Sequence, residues 1–235
     1  MLEIAKDWWE RHGRAFQDAY KHPIDILYGD VNEDKVQLIG PVDGKRVLEI
    51  GCGGAQCSIA FAKRGAIVTG VDFAESEIEF ARELANEHKV EIELFQRDMS
   101  DLTPIATDSQ DIVFSASAFH YVDDLSTCFN EVYRVLKQQG MFVFGGGHPF
   151  MEIVDPKTMT INRSYFDTGV HIEGSFAQVD RKLSDYFNLL VDAGFIVERI
   201  IEPDPRDGFT PTEFSAPAEL TAKVPTCIIF KARKP

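Results

Sequence analysis

A glycine turn between an apolar run and a helical pattern constrains this chain more than any other feature. The run Arg46–Ile50 passes directly into Gly51-Cys52-Gly53-Gly54, and residues 58–63 then show helical spacing. A strand, a turn and a helix in this order bring exposed backbone N–H groups and the positive helix end to one point. Glycine lets a ligand approach the backbone closely because no Cβ intervenes.

The class of ligand is indicated by Asp72, which ends the next apolar run at 66–71. Its carboxylate should lie beside the glycine turn, where it can accept hydrogen bonds from a ribose diol. The sequence therefore predicts a nucleoside-binding βαβ unit. A dinucleotide fingerprint would place a third glycine where this chain has Gln56, and Glu49 inside the strand suits a cationic amine better than a pyrophosphate. No lysine follows the glycines, which disfavours ATP hydrolysis.

The pattern Glu49-x-Gly51-x-Gly53 followed by Asp72 resembles the S-adenosylmethionine loop of class I methyltransferases. The later motifs follow in the order of that family: a turn resembling its adenine turn at 96–99, a fourth strand at 111–115, and a helix with a glycine turn at 130–140. The small-molecule enzymes of the ubiquinone-biosynthesis and "type 11" kind are the most similar. The resemblance covers residues 45–147 by motif and the remainder by pattern. Ala55 departs from it, since many relatives carry a third loop glycine there.

The alternation of strands with helices indicates a parallel sheet with right-handed crossovers, which binds ligands outside the carboxyl ends of its strands. Strands are predicted at 46–50, 66–72, 91–95, 111–116, 141–144, 195–202 and 227–230. Helices are predicted at 2–20, 33–39, 56–63, 125–138 and 183–193, with another beginning at the capping box Ser76 to Glu79. The resemblance implies an α/β fold: a doubly wound, mostly parallel seven-stranded Rossmann-like sheet with an antiparallel last strand and a helical or loop cap.

One domain is predicted over residues 1–235. By the resemblance, its parts are an N-terminal helical lid (1–40), the cofactor-binding core (41–147), a cap or flap insertion (148–182) and the C-terminal completion of the sheet (183–235). About 35 residues separate the fifth strand from the next helix. Connections of that length are usually functional or mobile, and this one mixes aromatic and polar residues as a β-hairpin over a pocket does. The prolines in 203–225 predict a second, irregular loop.

Charge and composition exclude several partners. The net charge of −14 disfavours nucleic acids and anionic membranes. No apolar run is long enough to span a bilayer, and the first residues lack the apolar core of a signal peptide. The four cysteines show no metal-ligand spacing, so no metal site is predicted. We expect a cytoplasmic, reduced protein with a small-molecule acceptor; its oligomeric state stays open.

Ten residues are candidates for binding S-adenosylmethionine. The resemblance assigns the first-motif positions, the ribose acid and the adenine turn, while the other four are neighbours whose roles stay open between ligand contact, packing and solvation. The candidates are Glu49, Gly51, Cys52, Gly53, Gln56, Asp72, Phe73, Asp98, Met99 and Ser115.

Four residues are candidates on the acceptor side. Methyl transfer from a sulfonium is an in-line displacement, which requires alignment and, for a hydroxyl acceptor, a base that works near pH 7. Histidine suits that role, and His148 leaves the fifth strand at the ligand edge; alternatively it is bonded to its own loop. His120 follows the fourth strand, where it either contacts the ligand or packs. Tyr165 and His171 lie on the long connection and either face the site or pack away from it.

Three functions follow in order of preference. The first is an S-adenosylmethionine-dependent methyltransferase acting on a small molecule. The second is a non-catalytic nucleoside-binding protein on the same fold, because a fold does not imply a function. The third is an NAD-dependent Rossmann oxidoreductase, which Gln56 and Glu49 disfavour. The sequence leaves open the acceptor and whether its oxygen, nitrogen, sulfur or carbon is methylated.

Overall fold

A central sheet of seven strands organises the chain. The computed structural model describes residues 2–29, 31–174, 176–204 and 218–235. The strands are β1 (Arg46–Ile50), β2 (Ile67–Asp72), β3 (Ile92–Gln96), β4 (Gln110–Ala116), β5 (Leu136–Gly147), β6 (Ile196–Ile201) and β7 (Cys227–Arg233). Their order in the sheet is β6-β7-β5-β4-β1-β2-β3, and β7 runs antiparallel to both of its neighbours. The carboxyl ends of β4, β1 and β2 therefore meet at one edge, as the sequence predicted.

The central strands of the sheet are covered on both faces and are mostly apolar, whereas the edge strands β3 and β6 are partly exposed. Alternate residues belong to opposite layers of the core. Leu48, Val113 and Phe142 pack in one layer with α5 and α6, the helices Leu125–Val135 and Leu183–Asp192. Val47, Ile112 and Val143 pack in the other with the segment that follows the first helix. This arrangement confirms the predicted doubly wound α/β fold with an antiparallel last strand.

The remaining helices are α1 (Leu2–Tyr20), α2 (Glu33–Val36), α3 (Gln56–Lys63), α4 (Glu75–His88) and α7 (Ala218–Thr221). The bounds predicted for α1, α3 and β1 are confirmed. The helix predicted at 33–39 stops at Val36 because Gln37 takes a left-handed conformation with φ of 49°. The helix predicted to reach 138 ends at Val135, because Leu136 already pairs with Gln110 in the sheet.

The capping box predicted at the start of α4 is wrong. Ala74 is the N-cap residue, and no side chain within the helix caps it. Instead, the carboxylate of Glu10 on α1 accepts hydrogen bonds from the N–H groups of Glu75 and Ser76, at 2.9 and 3.1 Å. The Ser76 hydroxyl donates to the carbonyl of Trp9. A carboxylate at a helix N-terminus also interacts favourably with the helix dipole, so this contact fixes α1 against α4.

The long connection after β5 forms a cap that includes the predicted hairpin. The strands Gly169–Glu173 and Phe176–Asp180 pair antiparallel, and the second of them contacts α1 and the turn Phe119–Tyr121. Short strands at Val154–Asp155 and Thr160–Ile161 precede the hairpin, as a second pair at Leu27–Tyr28 and Val31–Asn32 precedes α2. Most of the irregular loop predicted at 203–225 lies outside the described residues.

Within these described ranges, no helix is long and apolar enough to cross a membrane.

Candidate cofactor and acceptor site

A cavity of about 210 Å³ lies at the carboxyl ends of β1 and β2 and under α1. It is lined by Trp9, Phe16, Gln17, His22, Pro23, Leu27, Gly29, Glu49, Gly51, Cys52, Gly53, Gly54, Gln56, Cys57, Asp72, Phe73, Glu77, Met99, Ala116, Ser117, Ala118 and Tyr121. Eight of the ten predicted cofactor residues are in this set. The first helix covers the cavity, because its residues 9, 16 and 17 form one wall.

At Gly51 the glycine turn has room only for a residue without a side chain. A Cβ built on Gly51 would lie 2.4 Å from the Cβ of Ala118 and 2.9 Å from the Cε of Met99, and the residue has φ of 67°. Ala55, the departure from the family pattern, keeps a left-handed backbone with φ of 61° as the N-cap of α3. The turn therefore retains its shape without the third glycine, although alanine is disfavoured in that conformation.

Asp72 is anchored at the turn. Its side chain is buried; Oδ2 accepts a hydrogen bond from the N–H of Gly53 at 2.9 Å and Oδ1 from that of Ala74 at 3.0 Å. Burial raises the pKa of Asp72 to about 6. A carboxylate oxygen has more than one lone pair, so both oxygens retain acceptor capacity toward the cavity.

Glu49 also lines the cavity, and its side chain is buried as well. The Ser58 hydroxyl on α3 donates to its Oε2 at 2.5 Å. Burial raises the pKa of Glu49 to about 8, and the charge of Asp72 adds to this effect. Burial likewise raises the pKa of the neighbouring Cys52, so this residue is a thiol rather than a thiolate nucleophile.

Glu77 and Gln17 are cavity residues that the sequence reasoning missed. The Gln17 amide donates to Glu77 Oε2 at 2.7 Å, and the Gln56 amide donates to Gln17 Oε1 at 2.7 Å. Glu77 Oε1 is buried without a hydrogen-bond partner. Burial, and then the charge of Asp72, raise the pKa of Glu77 to about 7. The sequence could have indicated Glu77 by its position on α4. It lies on the same buried helix stripe as Ala81, where a charge is unusual.

Two predicted cofactor residues lie outside the cavity wall. The Asp98 carboxylate turns back to its own loop, where Oδ1 accepts hydrogen bonds from the N–H and the hydroxyl of Ser100. Ser115 is fully buried and donates to the carbonyl of Ile50 at 2.8 Å, which ties β4 to β1. Met99, the neighbour of Asp98, is buried and lines the cavity.

A second cavity, of about 40 Å³, adjoins the first and shares Ser117 and Ala118 with it. It lies between the ends of β4 and β5 and the cap. Its other lining residues are Phe119, His120, Phe144, Gly145, Gly146, Gly147, Pro149, Glu152, Gln178, Val179, Asp180, Arg181, Tyr186, Ile228 and Phe230. Of the four predicted acceptor-side residues, only His120 is among them. Burial, and then the charge of Arg181, lower the pKa of His120 to about 4, so its ring is neutral at pH 7.

The other three acceptor-side candidates lie outside both cavities. His148 is buried with its Nδ1 accepting from the N–H of Phe150 at 3.0 Å and its Nε2 2.9 Å from Glu202 Oε1. Both ring nitrogens of His148 therefore have partners outside the two cavities. The bond from Phe150 is the bond to its own loop that the sequence had left open as the alternative. The Tyr165 hydroxyl accepts from the N–H of Leu183, and His171 stands opposite Gln178 in the hairpin. In the described ranges, no three side chains of metal-binding type converge.

Comparison with known proteins identifies the relatives of this chain. A family model described as a methyltransferase domain matches residues 48–144. A ubiquinone biosynthesis O-methyltransferase from Coxiella burnetii is 32% identical over 189 residues, which cover 78% of this chain and 70% of that protein.

Solved structures show the same architecture. An S-adenosylmethionine-dependent methyltransferase from Mesorhizobium loti aligns with a TM-score of 0.69 at 25% identity, over 85% of this chain and 95% of that one. A geranyl diphosphate C-methyltransferase from Streptomyces coelicolor, solved with S-adenosyl-L-homocysteine, aligns with a TM-score of 0.65 at 17% identity, over 86% and 78%. At that identity the second likeness concerns the fold alone.

Proposed function

Because the chain belongs to the class I S-adenosylmethionine-dependent methyltransferases, we propose that it methylates a small molecule at a hydroxyl oxygen. The observation that carries the proposal is the second cavity, which adjoins the larger cavity and shares the lining residues Ser117 and Ala118 with it. Its size and its position under the cap favour a small acceptor. The similar protein named as an O-methyltransferase supports oxygen as the atom that is methylated.

The lining of the larger cavity fits S-adenosylmethionine. Three of its side chains are buried acids, Glu49, Asp72 and Glu77, and none of its lining residues is lysine or arginine. A ligand that carries a sulfonium and an ammonium favours the ionised form of these acids and is attracted to it, whereas the pyrophosphate of NAD would be repelled by it. This charge distribution disfavours the oxidoreductase alternative on grounds independent of the missing third glycine.

We assign the cofactor roles from this geometry. Asp72 would accept from the ribose hydroxyls, Glu49 would hold the amino group, and Gly51 and Gly53 would allow close backbone approach. When bound, S-adenosylmethionine supplies a methyl group already activated by positive sulfur. The chain has to hold the acceptor oxygen in line with the carbon–sulfur bond, exclude water and receive one proton.

The domain assignment follows from the same roles. We propose one domain in which residues 1–40 act as a lid on the cofactor side and residues 148–182 as a cap on the acceptor side. Residues 41–147 bind the cofactor, and residues 183–235 complete the sheet.

Two measurements test the proposal. Calorimetric titration with S-adenosylmethionine and with NAD should give binding of the first alone. Incubation with S-adenosylmethionine and a panel of small hydroxyl compounds should then release S-adenosylhomocysteine with at least one of them. Binding without product from any member would support the non-catalytic alternative, and binding of NAD would support the oxidoreductase.

A further inference from the structure

One acid of the cap faces the second cavity with an unused oxygen. Glu152 lies in the turn Met151–Ile153, just after β5. Its Oε2 accepts from the Gln178 amide at 2.8 Å, whereas its Oε1 has no hydrogen bond from any described residue and is not sealed from the cavity. A Cβ built on Gly147 would lie 3.0 Å from Oε1. Because Gly147 has no side chain, the Glu152 carboxylate can lie against the end of β5.

The nearby Arg163 donates to the backbone carbonyl of Glu152 and pairs with Asp180. Among the described residues, Glu152 has no ion pair within 4.0 Å, although its neighbour Asp180 is paired with Arg163. Arg181 also lines the cavity, but its guanidinium donates to the carbonyls of Phe119, Val122 and Asp123. The described residues therefore leave the Glu152 carboxylate without an ion-pair partner in the lining of the second cavity.

Proton affinity distinguishes Glu152 from His120, which line the second cavity together with Asp180, Arg181 and Tyr186. Burial raises the pKa of Glu152; the charge of Asp180 adds to this, while the Gln178 hydrogen bond and the charges of Arg163 and His171 oppose it. The pKa of His120 is lowered to about 4. Base strength follows the pKa, so the Glu152 carboxylate is a stronger proton acceptor than the His120 ring.

The opposite walls are apolar and aromatic. Phe144 and Phe230 stack with ring centroids 4.9 Å apart, and Phe119 packs on Phe144 at 4.8 Å. Ring faces beside a single free carboxylate oxygen suit a molecule with an apolar, ring-containing body and one hydroxyl. The volume of about 40 Å³ admits the hydroxyl-bearing end of such a molecule.

We infer that Glu152 is the catalytic residue that binds the acceptor hydroxyl and takes its proton, and that it selects neutral or cationic acceptors over anionic ones. This inference rests on the proposed function. In the step, the acceptor O–H bond breaks, and the oxygen electron pair forms the new O–C bond. The electrons of the C–S bond remain on sulfur, and the proton moves to Glu152 Oε1.

The selectivity is tested by binding. Three phenols share one ring and differ in charge: 4-ethylphenol is neutral, tyramine is cationic and 4-hydroxyphenylacetate is anionic. Ligand-observed NMR titrations of protein saturated with S-adenosylhomocysteine should show the anion binding about tenfold or more weakly than the other two, a typical cost of like-charge juxtaposition. In Glu152→Gln that ratio should fall below about threefold. Asp167→Asn, which removes an exposed charge from the same cap, should keep the wild-type ratio.

Three results would overturn the assignment: an anion that binds wild type as tightly as the neutral phenol, an unchanged ratio in Glu152→Gln, or no binding of any of the three phenols.

The chemical role is tested by kinetics with whichever acceptor the screen finds. Glu152→Gln should lower kcat by about 100-fold or more, the usual contribution of a general base, with KM changed less than about threefold. Its affinity for S-adenosylmethionine should equal that of wild type, which shows that the fold and the cofactor cavity are intact. Glu152→Asp should recover part of the rate. The acidic limb of the wild-type pH–rate profile, where protonation of Glu152 lowers the rate, should be absent in Glu152→Gln.

Different experimental results would contradict this inference and the proposed function. An active acceptor whose turnover is unaffected by Glu152→Gln would remove Glu152 from the mechanism and leave the methyltransferase intact. A protein that binds S-adenosylmethionine and these phenols but methylates nothing would contradict the proposed function instead.

Discussion

Asp72 has two tasks at the glycine turn, and its substitution should expose both. It holds the N–H groups of Gly53 and Ala74 and presents acceptor capacity to the ribose. We expect Asp72→Ala to weaken S-adenosylmethionine binding by about 1.5–3 kcal/mol, the range for hydrogen bonds to a charged group. Isothermal titration calorimetry measures the change. Asp98→Asn should have a smaller effect because the Asp98 carboxylate binds Ser100 outside the cavity wall. Equal losses in the two variants would contradict the ribose assignment.

Glu49 should recognise the methionine end of the cofactor rather than its adenosine. Its carboxylate is buried just before the glycine turn, with only Ser58 donating a side-chain hydroxyl to it. Glu49→Gln removes the charge that would pair with the ammonium group. We expect a loss of about tenfold or more in affinity for S-adenosylhomocysteine and little loss for adenosine. Parallel titrations of both ligands into both proteins make the comparison, and matched losses would mean that Glu49 only supports the loop.

Most of the cofactor residues predicted from sequence line one cavity, because these positions are close together along the chain and the sheet. Glu49, Gly51 and Gly53 are consecutive along one strand and turn, and Asp72 ends the adjacent strand of the sheet. The acceptor side depends on contacts distant in sequence. His148 faces Glu202, 54 residues further on, and Glu152 is held by Gln178 of the hairpin. No spacing rule reports such contacts, so the sequence analysis named His148 as a candidate and did not consider Glu152.

At the scale of elements, the docking of α1 on α4 depends on one helical glycine. A Cβ on Gly13 would lie 2.4 Å from Glu77 Oε1. In an isolated helix, Gly→Ala is stabilising by about 1 kcal/mol. Here we expect Gly13→Ala to destabilise the protein by about 1–3 kcal/mol, as overpacking does. Urea unfolding gives the value.

A double-mutant cycle with Glu77→Ala isolates this contact. When the carboxylate is gone, Gly13→Ala should regain its helix-forming advantage, so the two substitutions should couple by about 1 kcal/mol or more. Additive effects, or stabilisation by Gly13→Ala alone, would show that α1 does not pack on Glu77 in solution.

The alternation of apolar and polar residues and the positions of glycine and proline predicted most helices and strands. The ends that differ from these predictions have local geometric causes. Apolar runs predicted the central strands because those strands are covered on both faces, whereas the edge strands β3 and β6 are partly exposed. The ends that differed depend on the left-handed Gln37 and on the pairing of Leu136 with Gln110, which only the folded chain reveals. The cap of α4 comes from Glu10, 65 residues before the amide it accepts from, so a capping rule limited to neighbours chose Ser76 wrongly.

For the whole molecule, three buried acids predict how stability depends on pH. Their pKa values are raised to about 8 for Glu49, 7 for Glu77 and 6 for Asp72, above those of the unfolded chain. Between the unfolded and folded pKa values the native state binds more protons, so the free energy of unfolding falls as pH rises. The cofactor-free protein should therefore be more stable at pH 5.5 than at pH 8.5. Urea unfolding at intermediate pH values gives the slope.

Glu77→Gln assigns part of that slope to one residue. The variant cannot ionise at this position, so its stability relative to wild type should increase from pH 5 to about pH 7 and then level off. The gain should be about 1–3 kcal/mol, since one unit of pKa corresponds to 1.36 kcal/mol. Glu87→Gln, an exposed position on the same helix, should leave the slope unchanged. A wild-type protein equally stable at pH 5.5 and 8.5 would contradict the burial of these acids.

The two ends of the site should close in sequence, with the cap completing a closure that begins at α1, because the second strand of the hairpin contacts α1 directly. Residues 9, 16 and 17 of α1 line the cofactor cavity, whereas Glu152 and Gln178 of the cap line the adjoining one. S-adenosylhomocysteine alone should therefore slow hydrogen exchange in α1, and adding 4-ethylphenol should extend the protection to residues 148–179. Strand β3, at the far edge of the sheet, should exchange at the same rate in all three states and serves as the internal control. Protection that reached the cap with S-adenosylhomocysteine alone would mean that the lid and the cap respond to the cofactor only. Unprotected segments in the ternary complex would mean that neither closes over the site.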